Sequence, residues 1–134
     1  CLSFGKGKVV KEGEDLTIIT WGALVQKCLE AAKQSGHNIE VIDLRTLYPL
    51  DLDIIIRSIE KTNRAIVVHE DNLTGGFGGE ISALINEHVF ELLDAPVKRV
   101  ASKDVPIAYS ANLEDQILVQ TDWILDSINE VVEF

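Results

Sequence analysis

His69, Glu70 and Asp71 close the apolar run Ala65 to Val68 and stand just ahead of Gly75, Gly76, Gly78 and Gly79. An imidazole beside carboxylates can serve as a general base, and the end of a buried strand is a common place to display one. Glycines between a strand and a helix can also wrap phosphate, as in the dinucleotide fingerprint G-x-G-x-x-G. Counted from Gly76, the third glycine of that fingerprint falls on Ile81, and Glu70 and Asp71 would set negative charge beside a pyrophosphate. Neighbours along a strand point to opposite faces, so His69 and Glu70 do not converge. None of Ser3, Ser35, Ser58, Ser82, Ser102, Ser110 and Ser127 has the setting of a nucleophile elbow. Three readings stay open: a small-ligand or nucleotide module on the Gly75–Gly79 turn, a hydrolase centred on His69, and a tight turn for close packing with His69 structural or at an interface.

The other reactive side chains are scattered. His37 follows Gly36 and is expected in solvent, whereas His88 falls on an apolar helical stripe and is expected as a core or interface histidine. Without clustered thiols or carboxylates these histidines make no zinc pattern, so no metal site is expected. Cys1 and Cys28 do not form a disulfide framework, which fits a reducing, intracellular setting. The chain opens on Cys1 and a loop-like LSFGKGK rather than on Met, so it is expected to be a piece of something longer.

Against 12 Lys and Arg stand 22 Asp and Glu, a formal charge of −10. Nucleic acid and anionic membranes are repelled by such a surface, and basic proteins are the natural partners. No apolar run approaches the roughly 20 residues a bilayer span needs, and no signal peptide is evident, so the chain reads as soluble. Glu12, Glu14, Asp53, Glu60, Asp94, Asp104, Glu114, Asp115 and Asp126 make a solvated acidic face or a docking site for a basic partner. Glu130, Glu133 and the Phe134 carboxylate add charge beside apolar area, a combination suited to an Arg-bearing module.

Periodicity supplies the elements that must position these residues. Val9 and Val10 read as a short edge strand, Leu16 to Trp21 as a buried strand, and Val25, Cys28, Leu29 and Ala32 as one face of a helix stopped by Gly36. Ile39 to Leu44 is the next strand, and Asp51 is placed to cap a helix carrying Ile55, Ile56 and Ile59. After the strand Arg64 to Glu70, the positions Ile81, Leu84, Ile85, His88, Val89 and Leu92 predict a helix with a wide apolar stripe. Val97 to Val100 is the last strand, Ser102 to Gln120 a long connection of the kind that often carries contacts, and Thr121 or Asp122 the cap of a final helix. The alternation predicts an α/β fold: a mostly parallel central sheet with helices on both faces, one domain over 15–134 behind a lead-in and edge strand over 1–14.

Three ordered motifs, EVIDLRTLYPLD, KTNRAIVVHEDNLTGGFGGEI and LDAPVKRVASKDVPIAY, together resemble one family, and GKGKVVKEGEDLTIITWG resembles its opening segment. It is the C-terminal, transketolase-like domain of the E1 β component of 2-oxo acid dehydrogenase complexes. HEDNLTGGFGGEI looks more like the branched-chain (2-oxoisovalerate) enzymes and DVPIAY with LED like the pyruvate enzymes, with a modest lean to the branched-chain type.

The resemblance implies a parent enzyme dependent on thiamine diphosphate and Mg2+ that decarboxylates a 2-oxo acid and acylates the lipoyl group of E2. The cofactor and catalytic groups would lie in other parts, so no catalytic, cofactor-binding or metal residue is assigned here and the chain alone is expected to be inactive. Implied partners are the E1 α component or a fused α region, a second E1 β, and the E2 subunit-binding domain. His69, Leu73, Thr74, Gly75, Gly76, Phe77, Gly78 and the helix of His88 are expected at a subunit interface, and Asp94 and Phe134 at the E2 contact. The setting implied is bacterial cytoplasm or, in a eukaryote, the mitochondrial matrix.

Overall fold

A computed structural model describes residues 5–72, 76–102 and 119–134. The strands are β1 (Lys8–Lys11), β2 (Leu16–Thr20), β3 (Ile39–Asp43), β4 (Ala65–Asn72) and β5 (Lys98–Ser102). They form a five-stranded sheet in the order β1-β3-β2-β4-β5. Every pairing is parallel except that of β1 with β3, which is antiparallel and bulged between Val9 and Lys11. Lysines at both ends of β1 and the bulge protect this edge against pairing with another chain.

Among the described residues four α-helices cover the sheet: α1 (Leu24–Ser35), α2 (Leu52–Thr62), α3 (Phe77–Val89) and α4 (Thr121–Val132). Alternation along the strands sorts the core into two layers. Leu16, Ile18, Val41, Ile66 and Val68 face α1 and α4, while Ile19, Ile42, Ala65 and Val67 face α2 and α3. Helices on both faces of a mostly parallel sheet, with an N-terminal edge strand, are what the sequence pattern predicts.

Local chemistry sets two of the described helix boundaries. Gly36 ends α1 at φ 74°, a left-handed conformation that glycine adopts without strain. Asp51 caps α2, its Oδ1 accepting from the Ile54 amide at 3.3 Å, and its Oδ2 also accepts from the Gly7 amide at 2.9 Å, tying the lead-in to the helix start. The helices α1, α3 and α4 begin after Ala23, Gly76 and Gln120 without a side-chain capping bond, so neither Thr121 nor Asp122 takes the expected cap position.

Two buried faces differ from their predicted outlines. On α2 the inward row is Ile54, Ile55, Ser58, Ile59 and Thr62, with Ile56 only half-buried. Ser58 and Thr62 are inside because Thr17 of β2 meets both hydroxyls at 2.6 Å, and Ser58 donates to Glu40 of β3 at 2.6 Å. On α3 the inward row is Gly78, Ile81, Ile85 and Val89, a single line of i+3 and i+4 steps. Leu84 is half-buried, and His88 and Leu92 are exposed, so His88 is not a core histidine of this chain. A helix lying over one sheet buries one stripe, and the neighbouring row is left outward.

Candidate functional site

In open α/β sheets a ligand crevice forms where successive helices leave for opposite faces, at the carboxyl ends of the strands. Here α1 follows β2 onto one face and α3 follows β4 onto the other, so the crevice lies between the ends of β2 and β4. Aromatic rings fill it. The Trp21 ring stacks on the wholly buried His69, centroids 5.7 Å apart and 5° from parallel, and Phe77 meets Trp21 edge-on at 6.4 Å.

Gly78 is buried on the first turn of α3, and a Cβ there would lie 2.2 Å from His69 Nε2. The helix can approach the strand this closely only because position 78 has no side chain. Gly79 is under less demand: a Cβ there would meet its nearest neighbour, an Arg99 nitrogen, at 3.5 Å. Leu73, Thr74 and Gly75 lie outside the described residues.

His69 is inside and Glu70 outside, the alternation that strand geometry requires, and they form no base–carboxylate pair. Cys28 offers no nucleophile, since burial pushes its thiol up to about 12. Among the described residues no group of three or more His, Cys, Asp or Glu is placed to hold a metal ion. The described part of the junction is thus a packed joint; it presents no cradle for a nucleotide and no donor set for Mg2+.

Asp94 and Phe134, far apart in sequence, line one groove of about 460 Å3 together with Phe90, Leu93 and Pro96. Both rings stand in solvent, Phe90 67% and Phe134 78% exposed, and Asp94 is exposed. Asn63, in left-handed conformation at the end of α2, ties down the segment that carries Asp94: its Nδ2 donates to the Leu92 carbonyl at 2.8 Å, and its own carbonyl accepts from the Asp94 amide at 2.8 Å. The sequence reading missed Phe90 and Asn63. A phenylalanine between His88 and Glu91 at a helix end was the available signal for Phe90; nothing local marks Asn63.

A second, larger groove lies on the other flank of α3, between Glu80 and Leu84 on one side and the turn Leu47–Leu50 on the other. The remaining polar cluster is structural. Glu40 is buried, accepts from Ser58 and from the Gly13 amide, and pairs with Lys61.

Fold and site define a class: an α/β domain whose described residues form a packed switch point and line two grooves flanking one helix. Comparison with known proteins gives the family. Residues 5–124 match the family described as "Transketolase, C-terminal domain", and the chain belongs to it.

The relatives the chain resembles include beta subunits of 2-oxo acid dehydrogenases. It is 43% identical to the mitochondrial pyruvate dehydrogenase E1 component subunit beta of Dictyostelium discoideum, over 96% of this chain and 37% of that protein. It is 39% identical to the 2-oxoisovalerate dehydrogenase subunit beta of Bacillus subtilis, over 99% of this chain and 42% of that protein. Among solved structures, a split-gene transketolase described as an inactive beta4 tetramer superposes with a TM-score of 0.83 at 26% identity, covering 98% of this chain and 43% of that one. The chain thus spans about two fifths of the length of these relatives.

Proposed function

We propose that this chain is the assembly and E2-docking domain of a thiamine diphosphate-dependent 2-oxo acid dehydrogenase, in its E1 β component. The observation that carries the docking role is the shared groove of Phe90, Asp94 and Phe134. A carboxylate between two exposed rings, on a chain of net charge −10, suits a cationic side chain of a small basic module. In the proposed parent enzyme, thiamine diphosphate supports the decarboxylation and the acyl group passes to the lipoyl group of E2. No step is assigned to residues of this chain.

Partners in this reading are E1 α or a fused α region, a second E1 β, and the E2 subunit-binding domain. The compartment is the bacterial cytoplasm or the mitochondrial matrix, and no described helix is long and apolar enough to cross a membrane. For the substrate, HEDNLTGGFGGEI supports a branched-chain 2-oxo acid, whereas DVPIAY and the higher identity to a pyruvate-type relative support pyruvate.

Calorimetry with an isolated E2 subunit-binding domain tests the docking role. Binding is expected to weaken at least tenfold in Asp94→Asn and to fall with added salt. Absence of binding by the unaltered chain, or full binding by Asp94→Asn, would remove the reading.

A further inference from the structure

Asn63 does not line the groove of Phe90, Asp94 and Phe134, yet it fixes the segment that brings the carboxylate there. It ends α2 at φ 60°, a left-handed conformation that asparagine tolerates better than most residues with a side chain, and its amide donates to the Ile59 carbonyl at 2.8 Å. Ile55 and Ile59 are wholly buried, so the end of α2 is anchored in the core. From that anchor Asn63 holds two points far along the chain, the Leu92 carbonyl through its side chain and the Asp94 amide through its own carbonyl.

The two bonds bracket Leu93. Among the described residues they are the hydrogen bonds that reach the main chain of 92–94 from outside its own turn. Beyond Asp94 the next anchor is the buried Ala95, followed by Pro96, which has no N–H to offer. Among the described residues no side chain bonds the exposed Asp94 carboxylate, so its position is inherited from its main chain.

We infer that Asn63 is the positioning residue of the docking groove: by clamping the Leu92 carbonyl and the Asp94 amide to the end of α2, it presets the Asp94 carboxylate beside Phe90 and Phe134 for a cationic side chain of the partner. This rests on the docking role proposed above and names a group, outside the contact itself, on which the affinity of that site depends. A carboxylate held in place before the partner arrives leaves less chain to be ordered on binding, and the affinity rises accordingly. Other residue types lack one part of the device. Glycine keeps the left-handed turn without the donor, aspartate points an acceptor at the Leu92 carbonyl, and alanine is strained at positive φ.

Calorimetry with an isolated E2 subunit-binding domain, run as a double-mutant cycle on the purified chain, tests the inference. Asn63→Gly removes the side-chain bond while permitting the same backbone turn and the main-chain bond to Asp94. It is expected to weaken binding about fivefold, within the range one lost hydrogen bond allows. In the Asp94→Asn background the same change should cost less than about twofold, because Asn63 acts through that carboxylate. Asp51→Ala, which disturbs the opposite end of α2, should leave the affinity unchanged and so separates positioning from general stability. Amide exchange followed by NMR should show the Asp94 amide opening at least about tenfold more readily in Asn63→Gly than in the unaltered chain. Full binding by Asn63→Gly, an equal loss in both backgrounds, an equal loss in Asp51→Ala, or unchanged exchange at Asp94 would each overturn the inference and leave the docking role standing. An unaltered chain that fails to bind the domain would overturn both.

Discussion

At position 78 a hydrogen atom decides how β4 and α3 meet. Gly78→Ala would drive a methyl group against the His69 ring, which is stacked on Trp21 and has no free direction to retreat. Overpacking of this kind costs about 1–3 kcal/mol, and urea denaturation should show it as a lower midpoint at unchanged slope. Lys61 makes a second residue-scale case. Its bond to Glu40, with the nearby charges of Glu40, Glu12 and Glu14, raises the ammonium pKa above the ordinary 10.5, against a small opposing effect of burial. A group whose folded pKa is raised stabilises fully below its unfolded pKa and loses that contribution as pH climbs through the folded one. Thermal melts between pH 9 and 12 (a range around the usual lysine pKa of about 10.4) should fall more steeply for the unaltered chain than for Lys61→Met. Equal slopes would show that the pair adds nothing measurable, as is common for a lysine this exposed.

The elements show which parts of the sequence speak locally. Asp51 and Gly36 were legible because capping and helix arrest are properties of a few consecutive residues. What Asp51 does beyond its helix, holding the Gly7 amide, depends on where the lead-in runs and could not be read. Asp51→Ala should therefore cost more than a cap, about 1–2 kcal/mol, by a further amount of about 1–3 kcal/mol for the buried amide left without a partner. A loss no larger than that of an ordinary cap, measured in urea, would show that the Gly7 tether is dispensable. The same limit explains the misread faces. Ser58 and Thr62 look like surface residues until Thr17 and Glu40 arrive from other strands to satisfy them. His88 looks like core because apolar periodicity cannot tell a row against the sheet from the row beside it. At the junction, close packing was one of three readings the sequence left open, and that a side chain at Gly78 would meet the His69 ring emerged only with that ring in place. Of the docking groove, Asp94 and Phe134 were named by resemblance, whereas Phe90 and the Asn63 brace needed the third dimension.

Over the whole molecule, charge acts in two directions that one titration separates. A net −10 on 134 residues repels itself in the folded state, and the ion pairs the described residues offer at the surface, such as Lys98 with Glu130 at 3.4 Å, are too exposed to offset it. Salt screens this repulsion over about 10 Å at 0.1 M, so the melting temperature of the isolated chain should rise as NaCl goes from low to moderate concentration. The proposed contact with a basic module depends on the unscreened field of the same carboxylates, concentrated near Asp94 and the C-terminus, so its association rate and affinity should fall over the same range.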